Sequence, residues 1–301
     1  MKKVLITGAS GFLGKIIIKQ LGQNCEFSTL SRSSGNYITN LEEKVPLFDE
    51  KFELVIHAAG KAHSFPKSLV NHDDFFSVNV KGTRNLLEGL ENYKLPKSFV
   101  FVSSVAVYGE TTGYLINEHS EVKALDAYGR SKIQAEHLIL KWCTENNVTC
   151  TILRLPLVVG LNPPGNLGAM IKGIRKGYFF NIAGGSAKKS MVLASDVAKY
   201  LLKASEIGGI FNLTDGYHPS FFELSENISH QLKKNRPKNL PFWLAKLLAL
   251  IGDLFVYRAP LNSDKLRKIT SDLTFSDSKA RETFGWDPTP ILEGFKISDK
   301  N

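Results

Sequence analysis

Cysteine is scarce in this sequence, and its spacing argues against a fold held together by disulfides or by zinc. Only Cys25, Cys143 and Cys150 occur in 301 residues. An odd number at irregular spacing does not predict a disulfide framework, and no pair has the spacing of a zinc site. We therefore expect no metal, and we expect a protein of the reducing cytoplasm.

The sequence also lacks an apolar run long enough to cross a bilayer. Its most apolar segment, Phe242–Phe255, is shorter than the ~20 residues that a membrane-spanning helix needs, and it includes Lys246 and Asp253. This favours a helix that covers the substrate lobe over one that lies on a membrane surface. Because Lys2 and Lys3 lead directly into a strand that the fold needs, we expect no cleaved signal.

Basic runs with interleaved aromatic residues are absent as well, which argues against a nucleic-acid partner. The formal net charge is nevertheless +9. It favours a small partner with phosphate groups, although ordinary solvated surface charge explains it equally well. Hydrophobic content of 43% and charged content of 22% are typical of a globular protein with one large α/β domain and an added lobe, or with two domains.

The first twenty residues predict a phosphate-binding turn. An apolar strand at Val4–Thr7 runs into the sequence GASGFLG, and a helical pattern follows through Leu21. Gly8 allows a tight turn, Gly11 lets bare backbone approach a pyrophosphate, and Gly14 lets helix and strand pack closely. The diphosphate would lie on the free N–H groups at the positive end of the helix.

Strands and helices alternate through the first two thirds of the chain. This predicts an α/β fold with a Rossmann-type, doubly wound parallel sheet in residues 1–156 and a smaller, partly interleaved substrate-binding lobe in residues 157–301. The expected strands are Val4–Thr7, Glu26–Leu30, Leu54–His57, Ser98–Ser103, Thr151–Leu155 and Gly209–Leu213. The expected helices are Leu13–Leu21, Asp74–Leu90, Ala127–Asn146 and Leu167–Lys176.

The end of the second strand indicates which dinucleotide would bind. An acidic residue about twenty positions past the glycines accepts a hydrogen bond from the ribose of NAD, whereas arginine there pairs with the 2′-phosphate of NADP. The acid is missing here, and Ser31 and Arg32 stand in its place. We therefore expect NADP, with NAD possible, and we expect Asn40 and Leu41 beside the adenine.

The next strand ends in small residues, which would let a cofactor ring lie against backbone. They are Ala58, Ala59 and Gly60, and Asn79 follows at a helix start. His57, on the apolar strand itself, is interpreted as a hydrogen-bonded core residue. Lys61 and His63 lie in the loop beyond it and could reach a substrate.

A serine-ended strand and a Tyr-x-x-x-Lys helix supply the candidate catalytic residues. Tyr128 and Lys132 are four positions apart, so they share a helix face. The ammonium beneath the phenol, with the positive ring of a nicotinamide nearby, would lower the pKa of Tyr128 toward working pH. The tyrosine then becomes a general acid/base for a sugar hydroxyl or carbonyl oxygen, and a serine at the strand end places that oxygen by a hydrogen bond.

These motifs resemble, in order and over essentially the whole chain, the extended short-chain dehydrogenase/reductases of the nucleotide-sugar epimerase/dehydratase family. The matching motifs are TGASGFLG, HAAG, NVKGT from Asn79, SSVAVYG, YGRSK, RLPLVVG and SDLTFSDSKARETFGWDP. By position, the resemblance implies that Ser104 is the hydrogen-bonding serine, Tyr128 the acid/base and Lys132 the residue that holds the nicotinamide ribose. It also implies a homodimer, and cofactor contacts from Ser10, Phe12, Leu13 and Leu155 beside the residues named above.

The same resemblance implies a nucleoside-diphosphate sugar as the substrate. Relatives grip the diphosphate with an asparagine at a helix start and with basic side chains beyond it. Asn166, Lys189 and Arg267 match these positions best. Lys189 stands where relatives commonly carry arginine, so a two-pronged phosphate grip is not expected from it.

Three reactions remain to be separated. A 4,6-dehydratase needs an acid/base pair after the serine, but Val105 and Ala106 stand there and cannot transfer protons. A 4-epimerase needs a retained oxidised cofactor, usually NAD held by an acid on the second strand, whereas a 4-keto-sugar reductase draws on NADPH. Arg32 and a similarity of the HAAGKAHS segment to enzymes of bacterial surface-polysaccharide sugar synthesis favour the reductase, with the NAD-dependent epimerase as the alternative. A non-catalytic nucleotide sensor is less favoured, because it has no use for Tyr128 and Lys132.

Overall fold

The computed structural model describes residues 1–62, 72–254 and 261–297. The strands are β1 (Lys2–Thr7), β2 (Cys25–Ser31), β3 (Tyr37–Ile38), β4 (Leu54–His57), β5 (Ser98–Ser104), β6 (Gly113–Ile116), β7 (Thr149–Leu155), β8 (Leu157–Val159), β9 (Phe180–Ile182), β10 (Met191–Leu193), β11 (Gly209–Asn212), β12 (Lys238–Leu240) and β13 (Leu273–Phe275). The α-helices are α1 (Phe12–Leu21), α2 (His72–Phe76), α3 (Gly82–Glu91), α4 (Ala127–Glu145), α5 (Gly165–Arg175), α6 (Ala194–Ile207), α7 (Phe221–Gln231), α8 (Phe242–Asp253), α9 (Ser263–Thr270), α10 (Ser278–Phe284) and α11 (Ile291–Gly294).

A parallel sheet forms the centre of the protein, as the alternating pattern predicts. Its strands lie in the order β11-β7-β5-β4-β1-β2-β3, and each neighbouring pair is parallel. β1 lies between β4 and β2. The chain therefore forms β2 and β3 on one side of β1 and then crosses to form β4 and the later strands on the other side. This is the topological switch point at which open α/β sheets bind ligands. The Rossmann-type fold is therefore confirmed.

Alternate residues of the central strand fill two cores, one on each face of the sheet. Val4 and Ile6 pack with Ile17 of α1 and Leu201 of α6. Leu5, between them, belongs to the opposite core with residues of α3 and α4. Side chains of a strand point alternately to its two faces, and both faces of a parallel sheet are covered by helices.

The second half of the chain completes this same sheet. The edge strand β11 comes from residues 209–212, and Phe211 and Trp286 are buried in the core on the α1 face. Residues 157–301 therefore interleave with the first half. Their other strands form the short pairs β8 with β10 and β9 with β12, while β13 pairs with β6 of the first half. Helices α5, α7 and α11 surround a core of their own.

The helix expected over residues 74–90 is wrong in one respect, because it is not a regular α-helix. A π-helical segment, Ser77–Lys81, separates α2 from α3, with Asn79 inside it. Single π-helical turns widen a helix locally and are frequent at functional sites. Asn79 is buried there, where its amide reaches across to another helix.

The apolar helix α8 also differs from its expected role as a cover. It packs on its neighbours through Ala245, Ala249 and Gly252, which are buried. Its large side chains lie in solvent, with Trp243 being 69% exposed. In the described part of the chain, no helix combines the length and hydrophobicity needed to span a membrane.

We expect Gly14→Ala to lower the free energy of unfolding by about 1–3 kcal/mol and to prevent dinucleotide binding. A Cβ at this position would lie 2.1 Å from the carbonyl oxygen of Gly8, so α1 would have to move away from the turn. Gly82→Ala is the matched control, because its Cβ meets nothing closer than 3.5 Å and the residue has helical dihedral angles. Denaturant unfolding compares the two, and equal stabilities would contradict this account.

Candidate active site

The glycine turn forms the floor of a cavity at the switch point. Gly8 has a φ of +73°, and a Cβ there would lie 2.7 Å from the backbone of Ala58 and Ala59. Only glycine allows this approach of the turn to the loop after β4. Gly11 precedes α1, and no side chain caps that helix end. Its first N–H groups are therefore available to an anion.

The cavity has a volume of about 640 Å³, which is in the range of ligand sites. It brings together most of the residues expected to bind the cofactor. These are Gly8, Ser10, Gly11, Ser31, Arg32, Asn40, Leu41, Ala58, Ala59 and Gly60. Seven other residues expected to bind the cofactor do not line it: Phe12, Leu13, Gly14, Asn79, Tyr128, Lys132 and Leu155. Leu13 and Leu155 pack in the core on the α1 face instead, and Gly14 is buried beneath the turn.

The far end of the cavity combines a basic side chain with hydroxyl groups. Arg32 is 74% exposed, and its guanidinium lies 3.7 Å from the carboxylate of Glu42, which also lines the cavity. The Ser31 hydroxyl accepts from the backbone N–H groups of Ser33 and Ser34 and so fixes the turn after β2. The sequence did not predict Glu42 as part of the site. Glu42 belongs to a later loop, which reaches the Arg32 end of the cavity only in the folded protein.

His57 is a satisfied core residue, as interpreted from the sequence. Its Nδ1 lies 2.7 Å from the Thr7 hydroxyl and its Nε2 lies 2.9 Å from the Thr83 hydroxyl. Burial, with the positive charge of Lys132 adding to it, lowers the pKa of His57 to about 3, so the ring is neutral. The Thr7 hydroxyl also accepts from the N–H of Ala59, and in this way the ring anchors the cavity wall.

Asn79 connects the cavity wall to the helix that carries the Tyr-x-x-x-Lys motif. Its Oδ1 accepts from the N–H of Lys61 (2.8 Å), and its Nδ2 donates to Ser131 Oγ (2.9 Å). Ser131 Oγ in turn donates to the carbonyl oxygen of Tyr128. Lys61 itself lines the cavity and forms an ion pair with Asp74 (2.6 Å).

Lys132 is buried at the edge of the cavity. Its ammonium donates to the carbonyl oxygen of Val102 (2.9 Å), and a Cβ placed on Gly60 would lie 3.2 Å from it. Burial lowers the pKa of this lysine to about 8, and the carboxylate of Glu136 opposes the shift. A buried ammonium with hydrogen-bonding capacity to spare is suited to a hydroxyl-bearing ligand such as ribose.

Tyr128 and Ser104 form the rest of the candidate catalytic group. Burial raises the pKa of the Tyr128 phenol, a hydrogen bond with Ser104 lowers it, and the charge of Asp126 raises it. The Ser104 hydroxyl also accepts from the N–H of Ala106 (3.2 Å). The predicted lowering of the Tyr128 pKa is therefore not found in the protein alone, because burial dominates and Lys132 bonds to backbone.

A buried polar network lies directly behind these residues. Arg154 donates from Nε and Nη2 to the two carboxylate oxygens of Glu136 (3.2 and 2.7 Å), and from Nη1 to Tyr108 (3.1 Å). Ser103 donates to the same carboxylate, and Tyr108 donates to the amide oxygen of Asn212 (2.8 Å). The network joins α4, β5, β7 and β11. Sequence reasoning assigned it no role, although an arginine within the apolar strand TILRL was a signal of a buried partner.

The residues expected to bind substrate come from several separate elements of the structure. Lys189 is partly buried, and burial lowers its pKa to about 8 while Asp272 opposes the shift. Asn166 is exposed in the first turn of α5, and Arg267 is exposed and paired with Asp264 (3.1 Å). Lys61 lies on the cofactor-side cavity, and His63 lies outside the described residues. Among the described residues, histidine, cysteine and carboxylate side chains form no cluster suited to a metal.

The chain is similar in sequence to known enzymes over nearly its whole length. The sequence model of the NAD dependent epimerase/dehydratase family matches residues 4–213. The chain is 25% identical to the N-acetyl-alpha-D-glucosaminyl-diphospho-ditrans,octacis-undecaprenol 4-epimerase of Escherichia coli O157:H7, over 97% of this chain and 92% of that one. It is 26% identical to the UDP-glucose 4-epimerase of Vibrio cholerae, over 98% and 94% of the two chains.

Solved structures share the fold over nearly the whole length. The UDP-glucose 4-epimerase of Thermotoga maritima with UDP-glucose superposes with a TM-score of 0.76 at 22% identity, covering 97% of this chain and 96% of that one. RMD from Pseudomonas aeruginosa complexed with NADPH superposes with a TM-score of 0.74 at 20% identity, covering 98% and 96%.

We expect Glu136→Gln to cost about 3–5 kcal/mol of stability, because it leaves the buried guanidinium of Arg154 without its counter-charge. Glu145→Gln, on the same helix, is the control. Glu145 is exposed and pairs loosely with Lys141 at 3.8 Å, so its loss should cost less than about 0.5 kcal/mol. Urea unfolding of both variants measures the difference, and a cost for Glu136→Gln no larger than that for Glu145→Gln would show that the pair is not needed.

Proposed function

The chain belongs to the NAD dependent epimerase/dehydratase family, and we propose that within it this protein is an NADP(H)-dependent reductase of 4-keto sugars carried on a nucleoside diphosphate. The observation that carries this proposal is the end of the cavity, where Arg32 stands among serines and the second strand does not end in an acid. The family-level activity is that of an NAD(P)-dependent enzyme of nucleotide-sugar chemistry. We further propose a cytoplasmic homodimer that supplies sugars for surface polysaccharides.

The described residues fit a nicotinamide dinucleotide. The turn around Gly8 has no room for a side chain, and the uncapped start of α1 can hold the diphosphate. Ser31 and Arg32 would hold the adenosine end, beside Asn40 and Leu41, while Lys132 and Asn79 reach Gly60 at the other end. When bound, the cofactor supplies hydride exchange with a sugar carbon.

Three side chains would do the remaining chemistry. The Tyr128 phenol donates the proton that the C4 oxygen gains during reduction, and it accepts one in the reverse direction. The Ser104 hydroxyl, whose influence lowers the pKa of Tyr128, would hold the same oxygen in place. The Lys132 ammonium adds a buried positive charge at the edge of the cavity, where it would hold the nicotinamide ribose.

The residues after Ser104 favour reduction over dehydration. Val105 and Ala106 form a short 3₁₀ turn there, and neither side chain can carry a proton. A 4,6-elimination needs an acid and a base at this point, so the site supports proton transfer at one oxygen only.

The second candidate is 4-epimerisation with a retained cofactor. Two relatives that match nearly the full chain are 4-epimerases by name. The carboxylate of Glu42 near Arg32 supports this alternative, because an acid at the adenosine end suits the ribose hydroxyls of NAD. Lys189, with Asn166, is our proposed contact for the substrate diphosphate, and the exposed, paired Arg267 is a weaker one.

We expect Tyr128→Phe to lower turnover about 10²–10⁴-fold with cofactor affinity preserved, because only the transferable proton is lost. Ser104→Ala should cost less, since water can replace part of its hydrogen bond. Tyr114→Phe is the control, because Tyr114 is 77% exposed and outside the site. Steady-state rates with a 4-keto nucleotide sugar measure these effects, and full activity of Tyr128→Phe would refute the mechanism.

We expect Arg32→Ala to weaken NADPH binding about tenfold to a hundredfold and to leave NADH binding nearly unchanged, because one charge-assisted bond to phosphate is lost. Glu42→Gln should have the opposite effect and strengthen NADPH binding, since it frees Arg32 and removes a negative charge near the phosphate. Fluorescence titration of both cofactors measures this. Equal affinity of the unaltered protein for NADPH and NADH would contradict the proposed preference.

A further inference from the structure

Helix α8 buries small residues and exposes large apolar ones, which is the opposite of the usual arrangement in a surface helix. Its small residues, Ala245, Ala249 and Gly252, are buried at helical spacing and form a narrow seam against the protein. Apart from the half-buried Leu244, its large apolar residues point outward, as does Leu254 at its end. These exposed residues are between 45% and 80% exposed; they are Phe242, Trp243, Leu247, Leu248, Leu250, Ile251 and Leu254. We call this surface the α8 face. Contiguous apolar surface of this kind on a soluble domain marks an interaction site.

The excess positive charge of the sequence is concentrated in the segment that contains this helix. Residues 231–270 contain nine lysine or arginine residues and two acidic ones, a net charge of +7 out of +9 for the whole chain. The exposed basic residues in the described part of this segment are Lys233, Lys234, Arg236, Lys238, Lys246, Arg267 and Lys268. The last two lie on α9, which packs beside α8 through Leu266.

An apolar face bordered by basic residues is typical of helices that lie in the interface of an anionic bilayer. At 1.5 Å per residue, the helix Phe242–Asp253 is about 18 Å long and too short to cross the hydrocarbon core. Lys246 lies among the apolar residues, and its long stem allows its ammonium to reach the headgroups.

Charge also argues against a second copy of this chain as the occupant. A two-fold interface would place the α8 face of one copy against the same face of the other. Two segments of net charge +7 would then be brought together, and like charges oppose such contact. An anionic lipid surface instead complements both the apolar residues and the basic residues beside them.

We propose that the α8 face, together with the basic residues beside it, is a docking surface for an anionic phospholipid bilayer, on which this protein lies without spanning it. The proposal requires neither a cofactor nor a sugar. It therefore stands or falls separately from the proposed reductase activity.

Tryptophan fluorescence offers a test on the unaltered protein. Trp142 and Trp286 are buried, whereas Trp243 is exposed on the α8 face. Adding phosphatidylcholine vesicles that contain phosphatidylglycerol should shift the emission to shorter wavelength, and vesicles of phosphatidylcholine alone should give a smaller shift. Trp243→Phe should remove the shift while vesicle co-sedimentation persists. Absence of both shift and co-sedimentation in the unaltered protein would overturn the proposal.

Variants then assign the binding to the α8 face. Leu250→Gln should weaken co-sedimentation with the anionic vesicles about tenfold, because one leucine no longer enters the apolar layer. Leu47→Gln is the matched control, since Leu47 is exposed in the first half of the chain, and it should change nothing. Lys238→Gln should weaken binding about fivefold, whereas Lys51→Gln, at an exposed site distant in sequence, should not.

Two further outcomes would overturn the proposal. Equal binding to anionic and neutral vesicles would remove the role of the basic residues. A protein that ignores vesicles but changes its oligomeric mass in Leu250→Gln, measured by light scattering, would show that a second copy covers the α8 face. Folding of each variant is checked by its thermal midpoint, which should not fall because the altered side chains are exposed.

Discussion

The buried ion pair between Glu136 and Arg154 is the interaction on which the rest of the site depends. It joins α4, which carries Tyr128 and Lys132, to strand β7, and Ser103 ties it to the strand that ends in Ser104. Two charges this deeply buried are stable only when their remaining donors and acceptors are also satisfied. Tyr108 accepts a hydrogen bond from Arg154 and donates one to Asn212 of β11, which belongs to the second half of the chain. The site is therefore assembled only when both halves have folded together.

Features set by local spacing could be predicted from the sequence. The glycine turn depends on backbone approach at Gly8 and Gly14, and the shared helix face of Tyr128 and Lys132 depends on a separation of four residues. Features set by tertiary contacts could not be predicted. Glu42 reaches Arg32 from a separate loop, and the Asn79 amide, within a π-helical turn, bonds to both Lys61 and Ser131. Neither contact leaves a periodic signal in the chain.

Burial and charge explain the two remaining differences between sequence and structure. A Tyr-x-x-x-Lys spacing suggests a lowered phenol pKa, but it does not report how deeply Tyr128 is buried or that Lys132 donates to Val102. An apolar run such as that of α8 suggests a buried helix, but its small residues fit the protein better than its large ones, which remain outside. In both cases the side chains compete for a limited interior, and composition alone does not decide which enter it.

We propose that this protein reduces a sugar at C4 with NADPH. Incubation with a 4-keto nucleotide sugar and NADPH deuterated at the nicotinamide C4 tests it most directly, with the product analysed by mass spectrometry and cofactor consumption followed by absorbance. We expect one NADPH to be consumed per product molecule, with deuterium at the sugar C4. Interconversion of two hydroxyl sugars with no net change in absorbance and no added cofactor would contradict it and would identify the protein as an epimerase.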